Sequence, residues 1–117
     1  MKKIATAFYL SKQGNCAQSV AYALQMKREL PNISLEDMSL CGSGRAPERM
    51  CGALYAAIYY APNSEIAQEM KVRFAEASGG HLNCPQIRIA RKLSCVQCVG
   101  LASEMLDTLR QTGLENV

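Results

Sequence analysis

Four prolines, Pro31, Pro47, Pro62 and Pro85, cut the 117-residue chain into segments of helical length. Proline lacks a backbone N–H and fixes φ, so each one marks a place where a helix starts or stops. Within the segments apolar residues recur at spacings of three and four, and no convincing alternation of period two survives. The chain is therefore expected to be all-α, an irregular single-domain bundle of about six helices spanning residues 1–117. This length suffices to bury one core. A hydrophobic fraction of 49% belongs to a globular chain and argues against disorder.

Local signals place the helices. Ile4, Ala7 and Phe8 suggest a short first helix ending near Gly14. Asn15 is a good N-cap for a second, with Ala17, Val20, Ala21 and Leu24 on one face. Ser34 with Asp37 resembles a capping box and starts a short turn toward Leu40, after which Cys41-Gly42-Ser43-Gly44 breaks the chain. Pro47 fits the first position of the next helix, which carries Cys51, Leu54, Tyr55 and Ile58. Ser64 caps another, bearing Ile66, Met70, Phe74 and Ala77 and stopped by Gly79-Gly80. Asn83 or Cys84 caps a shorter helix with Pro85 near its start. The last segment has the clearest stripe: Cys95, Cys98, Val99, Ala102, Met105, Leu106 and Leu109, ended by Gly113. Met26, Met38, Met50, Met70 and Met105 read as core or edge filler.

The charge pattern excludes several functions. The formal net charge is +3, and Lys and Arg are scattered apart from Arg88, Arg91 and Lys92, whose helical spacing reads as a solvated face. No aromatic and basic residues interleave as a single-strand platform would need, so no nucleic-acid partner is expected. Met1-Lys2-Lys3 followed by Ile4 to Leu10 superficially resembles a signal peptide, but no convincing cleavage site follows. No stretch approaches the roughly 20 apolar residues of a membrane span. A cytoplasmic location is expected.

In a reducing cytosol six cysteines acquire chemical meaning. They make up about 5% of the chain, below the roughly 8–10% of a disulfide scaffold, and are more often catalytic, redox-sensing or metal-binding than structural. Cys95-Val96-Gln97-Cys98 is a CxxC at a helix start, where the dipole and unpaired N–H groups favour thiolate. Asn15-Cys16-Ala17-Gln18 and Asn83-Cys84-Pro85-Gln86 repeat one design, a cysteine beside an N-cap with Gln two positions on. In Cys51-Gly52-Ala53 small residues let another helix and its sulfur approach. His81, the only histidine, is a candidate ligand or proton carrier but reads first as a loop residue. Gly42-Ser43-Gly44-Arg45 suits an anion at a helix start, without the strand or lysine of a nucleotide loop.

These motifs resemble the C_GCAxxG_C_C family, whose members are regarded as redox-active. The resemblance runs over most of the chain: Asn15-Cys16-Ala17-Gln18 with Val20, Gly42-Ser43-Gly44, Cys51-Gly52-Ala53, Phe74, Asn83-Cys84, and Cys95 followed by Glu104-Met105-Leu106. By that resemblance the four family cysteines fall on Cys16, Cys51, Cys84 and Cys95. The motif's final glycine is Ala56 here, and Cys41 and Cys98 are additions. The resemblance implies a fold, a set of thiols, and a redox or transporter protein as partner; it supplies no reaction.

Two mechanisms fit the thiols. In the first, low-pKa thiolates form and break a disulfide, with Cys95 and Cys98 as the local pair and Cys16, Cys51 or Cys84 as the long-range partner. In the second, Cys16, Cys51, Cys84 and Cys95 hold zinc or an iron–sulfur cluster as cofactor. A third reading, from another class, is a helical interaction module whose cysteines only pack. The tyrosine-rich stretch Leu54 to Ala61 suits a homodimer contact as well as the core.

Overall fold

The computed structural model describes residues 1–28, 35–41, 46, 49–90 and 92–115. Among them lie six helices, α1 (Lys2–Leu10), α2 (Cys16–Arg28), α3 (Gly52–Tyr59), α4 (Ser64–Ser78), α5 (Cys84–Ala90) and α6 (Cys95–Glu115), with a 3₁₀ turn at Leu35–Met38. No strand occurs among these residues; the one ladder-like contact is an isolated antiparallel bridge between Met50 and Asn83. The fold is all-α, as the periodicity requires.

The longest helix organises the rest. α6 packs against α1, α2, α3 and α4, and α2 against α1, α3 and α6. The predicted stripe is the reason: Cys98, Val99, Ala102, Met105, Leu106 and Leu109 are all buried, and Cys95 is half-buried. α2 answers with Ala17, Val20, Ala21 and Leu24, the face expected for it. Alanine recurs where these helices meet, at Ala5, Ala17, Ala21, Ala53, Ala56, Ala57 and Ala102. Such short side chains let backbones approach closely, and the larger Phe74, Leu24, Leu54 and Met70 fill what remains. Phe8 of α1 stacks on Tyr22 of α2, ring centroids 4.4 Å apart. Buried Ser19 and Ser103 donate back to the carbonyls of Asn15 and Val99, one turn earlier, so neither hydroxyl is stranded.

Several helix ends differ from those the sequence suggested. α1 stops at Leu10, before Gly14, because Lys12 takes a left-handed conformation at φ 60°. α3 starts at Gly52 and not near Pro47. Arg49 is left-handed at φ 56°, and Met50 is tied to Asn83, so Cys51 precedes the helix where a helical position was expected. The cap of α4 is Asn63 and not Ser64: Ile66 N–H donates to Asn63 Oδ1 at 2.9 Å. Its buried face is Met70, Phe74 and Ser78, with Ala77 exposed. Gly79, at φ 80°, closes α4 as expected. Gly113 does not end α6, which continues to Glu115; a helical glycine costs about 1 kcal/mol but terminates nothing unless it turns left-handed. The capping serine proposed at Ser34, Pro47 itself, and the anion loop Gly42-Ser43-Gly44-Arg45 lie outside the described residues, as does Arg91 of the basic cluster.

The stretch from Leu54 to Ala61 is spent largely on the core. Leu54, Ala56 and Ala57 are buried, and Tyr59 is the exposed member. No helix among the described residues is long and apolar enough to cross a membrane.

Candidate functional site

Three helices begin at a cysteine, and a fourth follows one directly. Cys16, Cys84 and Cys95 are the first residues of α2, α5 and α6, and Cys51 is the residue preceding α3. The local sequence builds these starts in one way. At α2, Gln18 N–H donates to Asn15 Oδ1 at 2.7 Å, and Asn15 N–H donates to Gln18 Oε1 at 3.0 Å. This is a reciprocal capping box, and the cysteine sits inside it. Ser94 and Gln97 repeat it at α6, at 3.2 and 2.8 Å. At α5, Gln86 N–H donates to Asn83 Oδ1 at 3.0 Å.

Longer-range contacts bring the starts together. Cys51 N–H donates to the Leu82 carbonyl at 2.8 Å beside the Met50–Asn83 bridge, which fixes the start of α3 against the start of α5. Asn15 Nδ2 donates to the carbonyls of Met38 and Ser39, both at 3.0 Å, so the α2 cap also anchors the 3₁₀ turn. That turn delivers Cys41, whose carbonyl lies over Gly52, with Cys16 Sγ beside it. A Cβ on Gly52 would stand 2.6 Å from Cys16 Sγ and closer still to the Cys41 carbonyl oxygen. Glycine is required here by close approach alone.

The result is one cavity of about 750 Å³ whose wall carries Cys16, Cys51, Cys84, Cys95 and Cys98. All five cysteines proposed as catalytic thus share one space. Cys41 is set apart: it is half-buried, contributes its carbonyl near Gly52, and does not line the cavity. Burial pushes its thiol above the ordinary range. His81 is also outside the wall; its N–H donates to Ser78 Oγ at 3.2 Å, and its carbonyl accepts from the Ser78 hydroxyl. It belongs to the turn after α4. Each of the six cysteines is present as a thiol. Among the described residues no three His, Cys, Asp or Glu side chains are grouped so as to hold a metal ion, so the thiols line the cavity without closing around one point.

The sulfurs are not electrostatically equal. Cys51 is drawn down to about 7, first because the Cys98 thiol donates it a hydrogen bond. Burial opposes the shift, and the N–H groups of Leu54 and Ala53 support it without closing a full cap. Cys98 moves the opposite way. Its proton is held by the bond to Cys51, then by burial, then by the neighbouring sulfurs of Cys51, Cys95 and Cys16. One buried thiol therefore ionises near neutrality and its partner keeps a proton.

The close pair, Cys51 with Cys98, joins α3 to α6 and differs from the local pair Cys95–Cys98 that the CxxC suggests. No local signal carries it. A third copy of the cysteine-glutamine design, Ser94-Cys95-Val96-Gln97, was readable from sequence once serine is allowed the capping role of asparagine. No known family model, curated protein or solved structure matches the chain.

Proposed function

We propose that this protein is redox-active and works by thiol–disulfide exchange in the cysteine-lined cavity, with Cys51 attacking and Cys98 resolving. The observation that carries this reading is the single cavity wall shared by five cysteines, in which the two buried ones, Cys51 and Cys98, are close enough to shift each other's titration. The resemblance to the C_GCAxxG_C_C family supports it, because three of the family's four cysteines join Cys51–Cys98 at the same cavity once Cys51 is counted within the pair.

The steps balance without an external electron carrier. The Cys51 thiolate attacks one sulfur of a disulfide, giving a mixed disulfide and a leaving thiolate that takes up a proton. Cys51 then no longer bears a charge. The strongest cause that held the proton on Cys98, its bond to an anionic Cys51, is gone, and Cys98 ionises more readily. The Cys98 thiolate attacks Cys51 Sγ and releases the second thiolate, which is protonated in turn. The substrate leaves as two thiols, and the protein holds a Cys51–Cys98 disulfide. Cys16, Cys84 and Cys95, the first residues of α2, α5 and α6, line the same wall and are the thiols proposed to pass the disulfide to a partner.

Trapping tests the order of attack. Treated with a small aromatic disulfide, Cys98→Ser is expected to accumulate a mixed disulfide at Cys51, visible by intact mass and peptide mapping. The unchanged protein is expected to end two hydrogens lighter with no adduct. Cys51→Ser is expected to leave Cys98 slow to react. An adduct on Cys98 in Cys51→Ser, formed as fast as that on Cys51, contradicts the assignment.

A further inference from the structure

Resting on the dithiol reading, we infer that the substrate admitted to the cavity is a low-molecular-weight disulfide bearing carboxylates, and not a disulfide on the surface of another protein. Access is the first argument. Cys51 is 6% and Cys98 3% exposed, so neither sulfur stands where a disulfide fixed in a folded surface can reach it. The space in front of them, about 750 Å³, falls in the roughly 300–1,000 Å³ range of sites that enclose small molecules.

Charge is the second. Among the described residues the wall contains no Asp or Glu, and it includes the cation Lys12. Lys12 is placed there by its left-handed turn at the end of α1. The helices that start at the wall carry no acidic residue in their first turns, whereas α4, whose start is elsewhere, carries Glu65. The positive ends of α2 and α6 thus carry no first-turn carboxylate among the described residues. Leu10, Ile87 and Leu93 give the wall an apolar side against which the methylene groups of an organic disulfide pack.

The reaction is the exchange already described with its oxidant named: the carboxylated disulfide accepts two electrons and two protons in becoming two thiols, and Cys51 and Cys98 lose them. The probes are oxidised glutathione, an anion; cystamine, a dication; and insulin, a protein disulfide. Formation of the Cys51–Cys98 bond is followed by quenched peptide mapping, each rate divided by that of the same probe with dithiothreitol. The normalised rate with oxidised glutathione is expected to exceed the others by about tenfold or more at low ionic strength, and the advantage over cystamine to shrink with salt. Lys12→Glu is expected to remove most of that advantage and Lys12→Gln part of it, with thermal melting unchanged. Equal normalised rates for glutathione and cystamine, or insulin reacting as fast as glutathione, overturn the substrate class and leave the dithiol standing. Failure of every probe to form the Cys51–Cys98 bond overturns both.

Discussion

Replacing Cys98 with alanine is expected to return the titration of Cys51 from about 7 toward the ordinary thiol value of 9.0. The hydrogen bond from Cys98 is the largest cause holding Cys51 down, and without it the burial of Cys51 acts against ionisation unopposed except by two backbone N–H groups. At pH 7 the thiolate fraction then falls from about half to a few per cent. The ultraviolet absorbance of the thiolate, followed against pH, reads the midpoint directly. Alkylation rate is a less direct measure, because a thiolate of higher pKa is also a better nucleophile. Cys98→Ser retains a donor and is expected to keep most of the depression. A midpoint that stays near 7 in Cys98→Ala contradicts the assigned cause.

Gly52→Val is expected to have the largest effect on stability, a loss of about 3 kcal/mol and a fall in Tm of roughly 10–20 °C. Even a methyl at this position meets the Cys41 carbonyl and stands 2.6 Å from Cys16 Sγ. The first is backbone, anchored through Met38 and Ser39 to the α2 cap, and has little freedom to retreat. Gly52→Ala is expected to cost less, about 1–2 kcal/mol, because only one atom must be accommodated. Calorimetry on the reduced protein checks both. A Tm within a degree or two of the unchanged protein for Gly52→Val means that the packing of Cys16 and Cys41 over α3 is looser than described.

Much of this architecture was legible because helical periodicity survives in the core faces. The stripe from Cys98 to Leu109 and the face Ala17, Val20, Ala21, Leu24 are buried as read, with Cys95 half-buried at the stripe's start, since burying an apolar face is what holds a helix in place. Helix ends were read less well where a distant contact decides them. Nothing near Pro47 announces that Met50 pairs with Asn83, yet that bridge, with the left-handed Arg49, delays α3 to Gly52 and makes Cys51 its preceding residue. Asn63 lost to Ser64 in the reading because both are good caps, and only the bond to Ile66 separates them.

The site shows the same division. The cysteine-glutamine design at Cys16 and Cys84 was visible, and its physical content is the capping box that places a thiol at the first helical residue. What sequence cannot carry is the pairing across helices. Cys95 and Cys98 share a helix and look like partners, while the strongest electrostatic coupling is between Cys98 and Cys51, brought together because α3 packs on α6. The cavity that gathers five thiols is likewise a product of packing, as is the absence from its wall of His81 and Cys41.

The measurement that bears most directly on the central claim is disulfide mapping after reduced, anaerobically purified protein has received one equivalent of oxidant, with elemental analysis of the same preparation. The account predicts a single dominant bond between Cys51 and Cys98, in protein that carries no stoichiometric metal. A bond between Cys95 and Cys98 in its place, or iron or zinc held one per chain with the thiols protected from oxidation, contradicts it.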